Sequence, residues 1–257
     1  RSRTTLTVGA LLVGVAMILV VRGLTGSFAA DLRVWVESYL GGDVYIHSSV
    51  PLRADLARQI SAVDGVAAAA SIRYQPTEVR LPDGSFEAIT YMAVDPAAYS
   101  RVTRFVFSDN RTDSSAALST LAAGDALFIS SVLAEKYQWQ VGDAVALRTQ
   151  GGVRTFTVAA VVVDFFNQGL VVTGNWNDLR RYFHSNEAST ILVRVRDPQS
   201  VESVQVRIDD LYGKRYRLSM DSNASIRARV FNLMDQAFSM FDVLALLSVL
   251  VASLGVV

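Results

Sequence analysis

The residues best suited to acid–base chemistry are two histidines, His47 in the run His47-Ser48-Ser49 and His184 at the end of a predicted helix. A histidine beside a serine in sequence is not a base beside a nucleophile, because the fold must bring the two within hydrogen-bond reach. Neither is assigned a catalytic role. The chain has no cysteine, and two histidines alone fall short of the usual zinc ligand sets. Asp209-Asp210, Asp55 and Asp64 flank predicted helices, where capping and solvation account for carboxylates. Arg180-Arg181 and the pair Arg215 and Arg217 suit an acidic ligand, but isolated basic pairs in a neutral domain read first as surface. No Gly-x-x-x-x-Gly-Lys-Ser/Thr phosphate loop occurs in this sequence. Asn110-Arg111-Thr112 and Asn223-Ala224-Ser225 match the glycosylation acceptor pattern, which means little if the source is bacterial. The expectation is therefore a chain with no catalytic, cofactor-binding or metal-binding residue.

Composition narrows the classes further. The chain has 257 residues, with 24 Lys+Arg against 24 Asp+Glu. A nucleic-acid binder needs a basic surplus to neutralise phosphates, so the balance argues against nucleic acid as a partner. With 51% hydrophobic and 19% charged residues the chain is too apolar for disorder, and it is long enough for one or two domains with real cores. Absence of cysteine suits an oxidising compartment without excluding the cytosol. Only Lys136 and Lys214 are lysines, a bias read as bacterial and GC-rich. The mean hydropathy is nevertheless +0.30.

The two ends explain that value. Thr4 to Val21 runs 18 residues without a charge, nearly enough at 1.5 Å per residue to cross a hydrocarbon core of about 30 Å. The last 21 residues, Ala237 to Val257, carry one charge, Asp242, placed where it would sit near an interface. Two membrane spans are predicted, the second cut short. A cleaved signal peptide, with Ser27-Phe28-Ala29 as its cleavage site, is the rival reading of the first span, but the apolar run is longer than a usual h-region. Arg1 and Arg3 keep the first flank cytoplasmic, so the middle faces outside. Without Arg1, Arg3, Arg22 and Asp242, 21 basic and 23 acidic residues remain, as in an ordinary water-soluble domain. Because the chain opens on Arg1 rather than Met, it is expected to be a fragment or processed product. Within the first span Ala10 and Gly14 lie one turn apart, a small-xxx-small spacing that permits close helix packing.

The elements between the spans repeat a plan. A strand at Asp43 to His47, a helix opened by Val50-Pro51 and running to about Val63, Gly65, and a strand from Val66 to Tyr74 form one unit. A strand at Thr190 to Val195, Asp197-Pro198, a helix over Val201 to Tyr212, Gly213 and a strand at Tyr216 to Met220 form the second. Pro and Gly are taken as helix start and left-handed stop in both. Such units pack as an α+β, ferredoxin-like sandwich. Pro82-Asp83-Gly84 turns a hairpin between a strand ending near Leu81 and one at Phe86 to Val94, and Ser108 to Ser115 reads as an exposed loop. A strand at Ala126 to Ile129, a helix at Ser130 to Tyr137, the turn Val141-Gly142-Asp143, strands at Ala144 to Arg148 and Arg154 to Asp164, and a turn at Gly151-Gly152 suggest a small inserted β subdomain over about residues 125 to 175. Asn175 to Tyr182 then reads as a capped helix. Ser225 to Met240 places Ile226, Val230, Leu233, Met234 and Ala237 on one helical face, a stem running into the second span.

The opening apolar run, the segment Ser130 to Leu147 (SSVLAEKYQWQVGDAVAL), the run Phe156 to Phe165 (FTVAAVVVDF) and the exit helix resemble ABC transporter permeases of the macrolide-exporter (MacB), lipoprotein-exporter and FtsX type. The resemblance spans nearly the whole chain and rests on element order and on the turn at Val141 to Asp143, with Gly142 and Asp143 matching the family's turn. It implies transmembrane helix 1 at residues 1–26, a stem at 27–40, extracytoplasmic units at 41–124 and 176–224 around the insertion at 125–175, a stem at 225–240 and transmembrane helix 2 at 241–257. The sequence departs from that family's pattern in that no cytoplasmic helix is read ahead of its first span. The resemblance further implies a non-catalytic permease subunit in the bacterial inner membrane. It would be driven by an ATPase partner that holds ATP and Mg, and would be paired with a second permease copy or paralogue. Stem helices would transmit ATP-driven motion outward, to export lipoproteins, drugs or peptides or to activate an envelope partner. A membrane-bound sensory receptor with an outer ligand-binding domain remains the alternative, and a secreted hydrolase is disfavoured by the missing catalytic set.

Overall fold

A computed structural model describes residues 41–109 and 112–254, together with residues 16, 19, 20, 22, 23, 26 and 27. Residues 41–223 form one compact unit, and residues 1–40 with 224–257 form another. The first span, most of the 27–40 stem, and Ala10 and Gly14 lie largely or wholly outside the described residues.

Nine strands build the 41–223 unit: β1 (Val44–Arg53), β2 (Val66–Arg80), β3 (Phe86–Val94), β4 (Ala126–Ser130), β5 (Ala144–Thr149), β6 (Gly152–Val162), β7 (Val171–Asn175), β8 (Glu187–Val195) and β9 (Leu218–Ser222). Six helices of six residues or more punctuate them among the described residues: α1 (Leu56–Ser61), α2 (Pro96–Val102), α3 (Ser114–Ala123), α4 (Ser131–Tyr137), α5 (Trp176–Tyr182) and α6 (Val201–Ile208). The strand order is β3-β7-β4-β6-β5-β2-β8-β1-β9, with an additional β2–β3 pairing. That extra pairing closes β2, β3, β7, β4, β6 and β5 into a ring. The remaining strands lie in the antiparallel order β2-β8-β1-β9, with α1 linking β1 to β2 and α6 linking β8 to β9.

Strand β2 belongs to both parts. Its first half, Val66 to Ile72, pairs with β8, and its second half, Ile72 to Arg80, pairs with β3. Val79 and Arg80 meet Leu147 and Ala146 of β5 to complete the ring. One continuous core runs through both, from Ile46, Leu56, Ile60, Ile191 and Ile208 under the two helices to Tyr91, Leu127, Leu147 and Phe156 inside the ring. Helix α2 covers the opposite face of the β2–β8 sheet over Ala68, Ala70, Ile72 and Leu192. Helix α3 seals Phe128, Ala160 and Val162 on the ring's outside.

Several sequence expectations are corrected. Pro51 does not open a helix: β1 runs through it to Arg53 across a break in the β1–β8 register between His47 and Leu52, a position where a missing ladder N–H is tolerated. Gly213 is not a left-handed stop, for its φ is −54° inside a helical extension of α6, and Arg217 at φ 48° takes that role, so β9 begins at Leu218. The expected break after Tyr74 is absent because β2 continues to Arg80 through Pro76. Helices α2 and α3 and strand β7 had not been expected. Asp95 and Asp113 cap the two helices by accepting from Ala97 and Ala98, and from Ser115 and Ala116. The expected insertion starting at residue 125 cuts through the ring, whose members β2 and β3 lie earlier in the chain.

Helix α7 (Asn223–Leu254) contains the predicted Ser225 to Met240 segment and the second predicted span as far as Leu254. Ile226 and Val230 are half-buried and Met234 is buried, but Leu233 is exposed and lies off the expected stripe. Among the described residues no helix is long and apolar enough to cross a membrane.

Two buried residues of the 41–223 unit give tests. A Cβ on Gly174 would fall on the Tyr91 ring, whose hydroxyl donates to Asn175 O at 3.2 Å in the buried core. Gly174→Ala is expected to cost about 1–3 kcal/mol in urea unfolding, as overpacking does. Asp178, 4% exposed, accepts the Asp125 N–H at 2.9 Å. Burial raises its carboxyl pKa, the Asp125 N–H bond opposes this, and the Asp125 charge raises it further. A carboxyl raised in the folded state favours folding while protonated, and that stability is lost as pH rises from about 3.8 through the raised value. Asp178→Asn is therefore expected to flatten the stability-versus-pH curve in that window, read by thermal melting.

Candidate functional site

Two places on the 41–223 unit stand out: the corner where the chain enters and leaves it, and a cleft beside β2. At the corner, β1 begins and β9 ends side by side, with Val44 opposite Ser222. Asn223 holds the two chain passages together, its N–H donating to Asp43 O at 2.8 Å and its Nδ2 to Gly42 O at 2.9 Å. Asp43 ties the corner to β8: its N–H donates to Val193 O at 2.7 Å, and its carboxylate accepts from Val195 N at 2.8 Å and Arg194 Nη1 at 3.2 Å. Arg194 also donates from Nε and Nη2 to Val102 O at the end of α2. The two glycines before Asp43 are required sterically, since a Cβ at Gly41 would overlap Thr103 and Gly42 has a φ of 76°. The corner is thus held by hydrogen bonds to β8, to the end of α2 and between the entering and leaving passages.

The cleft has a volume of about 1140 Å³ and lies between α1, the first half of β2, the start of α2 and the start of α5. Its floor is the alanine run Ala67 to Ala70, and Arg53, Arg58, Arg101 and Arg180 reach its rim. Its two carboxylates are engaged: Asp55 with Arg53 at 3.2 Å, and Asp95 with the N–H groups of Ala97 and Ala98. Arg58, Arg101 and Arg180 make no ion pair among the described residues.

The structure does not gather the sequence-level candidates into one place. Gly142 has a φ of 97° and donates to Val158 O at 2.8 Å, while Asp143 accepts the Gln140 N–H at 2.8 Å; the motif is an exposed turn closing onto β6. His47 sits 4.0 Å from Asp221, and Ser48, on the opposite strand face, donates to Tyr216 O at 2.5 Å. His184 is exposed at a φ of 48°. Asp64 meets Arg196 and Arg207, and Arg181 and Arg215 lie over the rings of Tyr182 and Tyr216. Arg180 is the one member of the predicted basic pairs that lines the cleft. Among the described residues no group of three His, Asp or Glu side chains is placed to hold a metal ion. Asp43, Arg194 and Asn223 had no sequence signal as a set, because they lie far apart in the chain and meet only through the β1–β8–β9 pairing.

Residues 4–211 match the MacB-like periplasmic core domain, and the chain belongs to that family. An uncharacterized ABC transporter permease protein of Mycobacterium tuberculosis is 25% identical over 264 aligned residues, covering 99% of this chain and 30% of the relative. The chain thus spans about a third of the length of that relative. Among solved structures, the extracellular domain of the noncanonic ABC-type transporter YknZ from Gram-positive bacteria is 18% identical with a TM-score of 0.53, over 71% of this chain and 98% of that domain. The periplasmic region of MacB from Actinobacillus actinomycetemcomitans is 13% identical with a TM-score of 0.56, over 74% and 93%. These likenesses establish the fold, a mixed α/β domain of the kind found outside the membrane in ABC permeases. The family is one of permease subunits, generally non-catalytic.

If the corner joins the domain mechanically to what precedes and follows it, Asn223→Ala should loosen it without unfolding it. Amide hydrogen exchange is expected to speed up at Gly41 to Val44 by at least about tenfold, with the ring strands unchanged, since one buried hydrogen bond contributes about 1 kcal/mol or somewhat more.

Proposed function

We propose that this chain is part of a permease subunit of an ABC-type transporter in the bacterial cytoplasmic (inner) membrane, moved by ATP hydrolysis in a partner ATPase. The observation that carries the reading is the corner: the chain enters and leaves the 41–223 unit at neighbouring positions, held by the Asn223 bonds to Gly42 O and Asp43 O. A domain held at one edge by two adjacent passages can be tilted by a small relative shift between them, the geometry expected of a part that receives motion. Apolar runs at Thr4 to Val21 and Ala237 to Val257 supply the spans in this reading, and residues 27–40 and 225–240 the stems. Arg1 and Arg3 place the central domain on the outer side. The strand order β2-β8-β1-β9 with its two helices supports a ferredoxin-like arrangement.

In this reading the chain carries no catalytic group and no cofactor of its own, and ATP and Mg belong to the partner. A second permease copy or a paralogue completes the transporter, with Ala10 and Gly14 available for helix packing. The outer domain serves lipoproteins, drugs or peptides, or activates an envelope protein, since one fold supports each of these tasks.

Purification of the full-length membrane protein in detergent, with ATP hydrolysis measured, tests the proposal. A stoichiometric ATPase is expected, with turnover changed at least severalfold when four residues are removed from the Ser225 to Met240 segment. Absence of an ATPase both in the preparation and in the full-length chain overturns the reading and favours the sensory receptor.

A further inference from the structure

The cleft beside β2 contains an open sheet edge. The Val193 carbonyl accepts the Asp43 N–H, so Val193 turns its backbone groups toward β1, and its neighbours Leu192 and Arg194 turn theirs toward β2. Their partners Ala70 and Ala68 face back toward β8. By alternation, Ala69 and Ser71 direct N–H and C=O to the other edge of β2. From Ile72 onward that edge is occupied by β3, whose Val94 lies opposite Ile72. There the chain turns aside at Asp95-Pro96 into α2, leaving the lane beside Ala69 and Ser71 without a neighbouring strand among the described residues.

Two further features fit this lane to a guest. The alanines of the floor, with Ala57 on α1 and Ala97 and Ala98 on α2, are short, so the walls leave room for the alternating side chains of an added strand. Three rim arginines, Arg58, Arg101 and Arg180, lack a carboxylate partner among the described residues, whereas both cleft carboxylates are already engaged. We propose that the cleft docks an extended, acidic segment of a partner protein, which continues the lane of β3 by pairing with Ala69 and Ser71. Main-chain pairing supplies the affinity and the arginine rim selects for acidic side chains. The proposal stands on the cleft alone and does not depend on coupling to an ATPase.

The test uses the whole chain in non-ionic detergent and a fluorescent octapeptide of alternating Val and Glu. The comparators are the Val–Lys peptide and Val–Glu peptides N-methylated at alternate amides, in both settings. Fluorescence polarisation should show binding of the Val–Glu peptide and none of the Val–Lys peptide. At least one N-methylated peptide should bind about tenfold more weakly or worse, and Arg58→Gln with Arg101→Gln should weaken binding about threefold per substitution. Amide exchange should show new protection at Ala69 and Ser71. No binding of the Val–Glu peptide up to about 1 mM overturns the proposal. So does equal binding of both N-methylated peptides, which would mark a simple anion site, or protection confined to another edge such as β9.

Discussion

One strand, β2, has to satisfy two sheets, and the rest of the 41–223 unit is arranged around that requirement. Over 15 residues it gives one edge to β8 and the other first to no strand among the described residues, then to β3, and finally meets β5. Backbone groups that leave water must find partners, so wherever β2 is buried its edges are either paired or walled by helices. The same strand carries apolar residues on both faces in its first half, Ala69 toward the core under α1 and α6, and Ala68, Ala70 and Ile72 toward α2. A strand buried on both faces fixes the placement of the helices on either side of it, and with them the walls of the cleft.

Much of this was legible in the sequence, and the failures have physical causes. Closely spaced strands with Gly turns identified β4, β5 and β6, and the Asn175 cap identified α5. Pro51 misled because a proline at a helix start and a proline at a strand irregularity look alike locally, and only the pairing with β8 decides between them. Gly213 misled for a related reason: the glycine is needed because Asp209 packs against its α-carbon, while an arginine accepts the left-handed conformation. Helix α2 announces itself by Asp95-Pro96, a cap followed by proline, but its seven residues are too few for a helical period to emerge from the background. Of the corner and the cleft, only Arg180 had been singled out in the sequence as suited to an acidic ligand. Asp43, Arg194 and Asn223, like Ala69 and Arg101, become neighbours through strand pairing, which single-sequence patterns do not encode.

The polar side chains that are buried serve the fold: Asn175 accepts the α5 N-terminus and donates to Leu121 O and Ala122 O, and Asp178 holds the Asp125 N–H. Arginines are spent differently. Arg194 is committed to Asp43 and Val102 inside the corner, whereas Arg58, Arg101 and Arg180 are exposed around the cleft and make no ion pair among the described residues.

The pairing of Val44 with Ser222 has a consequence for how the domain is made. Strand β1 is among the first segments of the unit to be synthesised, and one of its two partners, β9, is the last. The ring, whose strands all lie between them, can assemble while β1 still has an open flank. Such long-range closure gives a high contact order, and a chain of this topology folds slowly and completes its sheet only near the end of synthesis. Until then an edge of β1 is available to any extended segment nearby, which makes the interval before β9 arrives the period when the domain most needs protection from misassembly.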